Sequence, residues 1–196
     1  MVETVQAINK IYTLQEYFEL EKNSIIKHEF VHGKIFPMPG EAKKANVIAT
    51  NLVILTKPIL RKKGFNVYEH DVPTIVRENK IYRYPDVVIN HITDDSDEYH
   101  IKQPILIVEV ASMESSKTDR ETKLQEYTLI DSMQYYIIVD QNKMLVEIYS
   151  RQENRWFYNF FKEPNDSIEL PIFDMEILLS DIYEDVIFLT LTPPSV

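Results

Sequence analysis

Apolar residues along this chain switch between helical and strand spacing, and the switches mark out its elements. Thr13-Leu14-Gln15-Glu16 opens the pattern: threonine with glutamate three residues on is a capping box, which predicts a short helix to about Glu21. Two apolar runs then flank His32-Gly33, a pattern that predicts a hairpin, with Gly33 taking the positive φ of a tight turn and Pro39-Gly40 closing it. From Ala42 to Lys62, Val47, Ile48, Leu52, Leu55, Ile59 and Leu60 recur at three- and four-residue spacing, predicting an amphipathic helix. Pro58 predicts a kink or restart within it, and Gly64 a stop.

Residues 65–68 and 73–76 read as strands, and residues 78–80 as a turn into Ile81 and Tyr82. Two further apolar strands follow, at 86–89 and 105–110. A second capping box, Thr118 to Glu121, predicts a helix to about residue 130. Strands are expected at 134–140 and 144–150, another hairpin at 156–161, and a short helix around 178–183. No repeat or linker interrupts the chain, so the pattern predicts one domain over residues 1–196 with a core from about 12 to 183. Strands outnumber helices, and a strand–helix–strand unit spans residues 109–140. That combination predicts an α+β fold, a mixed sheet flanked by helices with additional β-hairpins.

Composition narrows the chemistry. The 196 residues include no cysteine, which excludes disulfides, thiolate nucleophiles and cysteine-ligated metal sites. No apolar run reaches membrane-span length, and the N-terminus lacks a signal-peptide pattern, so a cytoplasmic location is expected. The formal net charge of −10 argues against a protein that coats nucleic acid non-specifically. It argues less against a metal-dependent nuclease, whose acids hold cations. Basic clusters at Lys43-Lys44 and Arg61-Lys62-Lys63 read first as solvated helix ends. The acidic run at residues 94–98 lacks the spacing and glycine of a calcium loop.

Two acids stand where apolar residues are expected. Asp86 opens one strand and Glu109 lies within the next, and an acid in such a run is costly to bury without a partner. Carboxylates on rigid strands suit Mg²⁺ or Mn²⁺, and the backbone carbonyl of Val110 offers a third ligand. Such an ion acidifies a bound water and polarises a phosphoryl oxygen. Lys123 fits beside it, orienting the water or countering transition-state charge. Asp119, Lys123 and Tyr127 share one side of the predicted helix. Structural readings stand next to these: Pro85-Asp86 as a turn device, Glu109–Lys123 as an ion pair, Asp119 as a helix-start charge. His28 and His32 read as hairpin residues, and Tyr82 and Tyr84 as packing.

The ordered set Pro85-Asp86, Glu109-Val110-x-Ser112, Asp119-x-x-x-Lys123-x-x-x-Tyr127 and Tyr135-Tyr136-x-x-x-Asp140 resembles the Uma2 family. The segment from His28 to Ile35 is similar to that family's early acid-and-glycine motif, and the likeness runs from about Tyr12 to Tyr183. The resemblance implies a restriction-endonuclease-like fold of the PD-(D/E)XK superfamily. It implies a metal-dependent endonuclease acting on DNA, with Mg²⁺ or Mn²⁺ as cofactor; a homodimer is the expected assembly because cutting both strands needs two sites. A nuclease-fold protein that binds DNA or a protein partner without cutting is the alternative. Glu29 matches the family's early acid and is an auxiliary site candidate. Where the superfamily's lysine usually follows the second acid, this chain has Ala111; the resemblance implies that Lys123 supplies it from the next helix. Asn46 stands where the family often has a histidine.

Overall fold

The structure, a computed structural model, describes residues 10–94 and 97–188. The chain opens with α1 (Leu14–Asn23), capped as predicted: Glu16 N–H donates to Thr13 Oγ1, and Thr13 N–H donates back to the Glu16 carboxylate. β1 (His28–Val31) and β2 (Lys34–Pro37) form the expected hairpin. Its two-residue turn has φ 50° at His32 and 83° at Gly33, the mirror-image geometry that suits twisted strands. A side chain at Gly33 would also collide with Ile11, so glycine is required twice over.

α2 (Lys43–Leu60) is one continuous helix, and Pro58 does not restart it. The bond that Pro58 forfeits falls at the carbonyl of Ile54, an exposed residue on the solvent side of the helix. A short 3₁₀ turn ends at Gly64, whose φ of 84° stops the helix. β3 (Phe65–Glu69), β4 (Thr74–Arg77), β5 (Ile81–Arg83), β6 (Val87–His91) and β7 (Pro104–Ala111) follow. The acidic run at 94–98 lies partly outside the described residues.

α3 (116–127) differs from its prediction. It starts at Ser116, not at Thr118, whose backbone is already helical. The start is prepared upstream instead, where Ser112 Oγ accepts from the N–H groups of Glu114 and Ser115. The middle of α3, Asp119–Lys123, widens into a π-helical stretch. β8 (Tyr135–Asp140), β9 (Val146–Gln152) and β10 (Arg155–Phe161) come next. The last of these is a single strand paired with β9, not a hairpin of its own. β11 (Ser167–Leu170), β12 (Met175–Leu178) and α4 (Leu179–Ile182) complete the set.

The largest sheet has the order β10-β9-β8-β7-β6-β3, all antiparallel except β7 with β8. Those two are parallel because α3 carries the chain back between them. A second sheet runs β2-β1-β5-β4, and β11-β12 form a small ribbon. This is the mixed α+β architecture that the pattern predicts. α2 packs on one face of the large sheet, setting Ile48, Ala49 and Leu52 against Val87, Ile89 and Val108. The alternate residues Val88, Ile107, Tyr136 and Ile138 face the other way, under Tyr127 of α3. Fully buried side chains such as Ile48 and Ile107 each contribute about 1.5–3 kcal/mol. Among the described residues, no helix is long and apolar enough to cross a membrane.

Candidate active site

The register of the large sheet brings the acids together. Val87 pairs with Val108, so one step outward Asp86 lies across from Glu109, and Glu109 in turn pairs with Ile138. On the other side His70 follows β3, and its N–H donates to the Asp86 carbonyl at 3.2 Å. The row His70, Asp86, Glu109 therefore crosses three neighbouring strands on the face covered by α3.

Both side-chain partners of Glu109 come from α3, and the lysine among them is shared with two further acids. Lys123 Nζ lies 2.8 Å from Glu109 Oε2, 3.3 Å from Asp119 Oδ1 and 3.9 Å from Glu29 Oε1. Tyr127 Oη donates to Glu109 Oε1 at 2.7 Å. Tyr136 Oη donates to the Asp119 carbonyl, fixing the start of the π-helical stretch from the sheet below. Asp119 Oδ1 is close enough for ion pairing with Lys123 but makes no aligned hydrogen bond. Arg83 braces the assembly from β5. Its guanidinium forks onto Glu126 with two 2.9 Å bonds and reaches Glu29 at 2.5 Å.

Burial sets the charges here. It pushes the Glu109 carboxyl up to about 8, with Asp86 and Asp119 adding to the rise and Lys123 opposing it. Burial also disfavours the Lys123 ammonium, but Glu109, Glu29 and Asp119 outweigh that and hold it above its ordinary value. The ammonium is thus the firm charge of the pair, and the Glu109 proton is the labile one.

At the other end, Asp86 Oδ2 accepts the Val110 N–H at 2.5 Å, while Oδ1 lies 3.6 Å from His70 Nδ1. Glu41 Oε1, just before α2, lies 3.1 Å from the same nitrogen. The ligand atoms of Glu41, His70 and Asp86 all fall within 4.8 Å of one another. Hydrogen bonds to Asp86 and Glu41 raise His70 to about 10. For Asp86, burial favours the neutral acid, but His70, Glu41 and the Val110 N–H pull the carboxyl below its ordinary value. His70 Nε2 is buried with no hydrogen-bond partner. Two carboxylates and an imidazole converging on one point form a donor set that fits a divalent cation.

Of the residues singled out in the sequence, Glu109, Lys123, Asp119, Tyr127 and Glu29 form one cluster. Asp86 adjoins it through the Val110 N–H but turns its carboxylate to His70 and Glu41. Sequence reasoning missed those two, and also Arg83. One signal was available for His70: it continues the alternation of Asn66 and Tyr68 onto the face of Asp86. Tyr82 and Tyr84 are buried as packing, as expected. His28 pairs with Glu21 at 2.7 Å, and His32 sits in the hairpin turn.

A mixed sheet with helices on both faces and two acids at neighbouring positions of adjacent strands defines a restriction-endonuclease-like α+β protein. The chain belongs to the Uma2 family, whose model, described as "Putative restriction endonuclease", matches residues 14–180. It is 30% identical to the uncharacterized protein sll1609 of Synechocystis sp. (strain ATCC 27184 / PCC 6803 / Kazusa), over 84% of this chain and 96% of that one. The uncharacterized protein slr1290 of the same organism is 25% identical over 89% of this chain and 92% of its own length. Among solved structures, a protein from Anabaena variabilis ATCC 29413 described as "a putative nuclease belonging to DUF820" superposes with a TM-score of 0.75. That match covers 89% of this chain and 99% of the other at 17% identity, a level at which the likeness speaks for the fold.

Proposed function

We propose that this protein is a metal-dependent endonuclease that hydrolyses DNA phosphodiester bonds. The observation that carries the reading is the placement of two buried acids on neighbouring strand positions, Asp86 just before β6 and Glu109 across from it on β7, with the Lys123 ammonium held against Glu109. Asp86, Glu109 and the Val110 carbonyl are the groups we assign to Mg²⁺ or Mn²⁺. When bound, such an ion supplies Lewis acidity and lowers the pKa of an attached water. Lys123 orients the attacking water and counters the negative charge that grows on the phosphoryl oxygens. Tyr127, Asp119 and Glu29 hold Lys123 and Glu109 in place. In the hydrolysis, the water oxygen bonds to phosphorus, the bond to the departing sugar oxygen breaks, and that oxygen takes up a proton.

In this reading the chain is one domain, works in the cytoplasm and pairs as a homodimer, so that two sites address two strands. The test is cleavage of supercoiled, linear and single-stranded DNA by the purified protein with Mg²⁺ or Mn²⁺. Asp86→Asn and Glu109→Gln should each abolish cleavage while leaving circular dichroism unchanged. Failure of the parent protein to cut any of these substrates would defeat the proposal.

A second reading, a nuclease-fold protein that binds DNA or a protein partner without cutting, draws on a specific observation. Lys123 is surrounded by three acids, and the formal net charge is −10. Calorimetric titration of divalent cations in the presence of DNA separates the two, because the non-cutting protein has no need of the ion.

A further inference from the structure

We infer that Glu41 and His70 join Asp86 as ligands of the metal site, and that the imidazole makes the site select Mn²⁺-class ions over Mg²⁺. The inference deepens the nuclease reading and rests on it for what the ion does, though not for whether the ion binds.

Three elements far apart in sequence deliver these ligands: the approach to α2, the end of β3 and the start of β6. Each ligand is fixed by a backbone bond or by its neighbours. The Val110 N–H holds Asp86 Oδ2. His70 is tied to the chain beside Asp86 through its own N–H. Its ring turns Nδ1 toward both carboxylates, while Nε2 is buried without a hydrogen-bond partner. The ring edge that can do chemistry is therefore the one facing Glu41 and Asp86.

The donor types decide which ion suits the site. Mg²⁺ demands near-octahedral oxygen coordination and keeps several waters. Imidazole nitrogen suits later divalent ions, and affinity for such ions at a given site rises from Mn²⁺ through Co²⁺ and Ni²⁺. A site of two carboxylates and one imidazole thus departs from an all-oxygen magnesium site by one ligand, and that ligand is His70.

The experiment uses the full chain with metal alone, without nucleic acid. Calorimetry with Mn²⁺ and Mg²⁺ should show Mn²⁺ bound on the order of tenfold more tightly or better. Pulsed electron paramagnetic resonance of the Mn²⁺-loaded protein should show coupling to an imidazole nitrogen. His70→Asn removes the ring while tolerating the φ of 48° at that position, and should lose the nitrogen signal and the preference for Mn²⁺. Glu41→Gln should weaken both ions. Equal affinity for the two ions, or bound Mn²⁺ with no nitrogen coupling in the parent protein, would overturn the inference, and the second readout needs no variant to fold. Cleavage without nitrogen coupling would leave the nuclease reading standing and remove this one. A nitrogen-coupled ion in a protein that cuts nothing would do the reverse.

Discussion

Val87, Val108 and Val110 point to one side of the large sheet, while Asp86, Glu109 and Glu147 from the same sheet point to the other. The first side is closed by α2 with aliphatic side chains that need only volume and shape to fit. The second is closed by α3, and each charged group there has a named partner. Glu109 has Lys123 and Tyr127, and Glu147 takes the Arg120 Nε–H at 2.6 Å. Packing on the apolar face is tolerant and additive, whereas on the polar face the loss of one partner strands another.

Lys123→Met should have the largest effect. It leaves Glu109 buried without its cation, at a cost of roughly 3–5 kcal/mol in urea unfolding. Adding Glu109→Leu should recover much of that loss; a single variant as stable as its parent would show that the pair does not hold the polar face. On the apolar face, Leu52→Ala should cost about 2–5 kcal/mol, and no second substitution beyond a refilling of the cavity should restore it. Tyr127→Phe should cost about 1–3 kcal/mol, since Glu109 Oε1 then loses its donor.

A further effect is one of pH in the metal-free protein. Glu109, raised from 4.5 to about 8, keeps a proton in the folded state that the unfolded chain has lost, so stability falls across that window. His70, raised from 6.5 to about 10, adds stability that is fully present below its unfolded value and lost as pH rises through its folded one. The two windows overlap from pH 6.5 to about 8, where the decline should be steepest; above that His70 alone carries it to about 10, and melting temperatures should follow. His70→Asn should flatten the upper part of that decline; an unchanged slope would exclude His70 as its source.

Much of this architecture is legible in the sequence because its signals are local. The Thr13 capping box, the His32-Gly33 turn and the Gly64 stop each depend on residues within one turn of one another. Thr118 and Glu121 imitate a cap in the sequence, whereas the Ser112–Ser115 turn upstream sets the start of α3. The apolar run at 156–161 gives no sign in the sequence that its partner is β9, so it imitates a hairpin of its own. Asp86 and Glu109 stood out as acids in apolar runs. Glu41 and His70 lie in connecting segments with no pattern around them, and only the tertiary fold brings them to Asp86.

The crossover through α3 has a consequence for how the site comes into being. Glu109 meets Lys123 and Tyr127 across only 14 and 18 residues of chain, so closing β7 back through α3 brings the lysine to its acid by a short loop. His70 comes to Asp86 over a loop of similar length, through the pairing of β3 with β6, whereas Glu41 reaches them only once α2 has docked. The lysine half and the His70–Asp86 contact are both closed over short loops, and the Glu41 contact is the long-range one. Loosening the contact between α2 and the sheet therefore withdraws Glu41, while His70 stays beside Asp86 and the lysine on its glutamate.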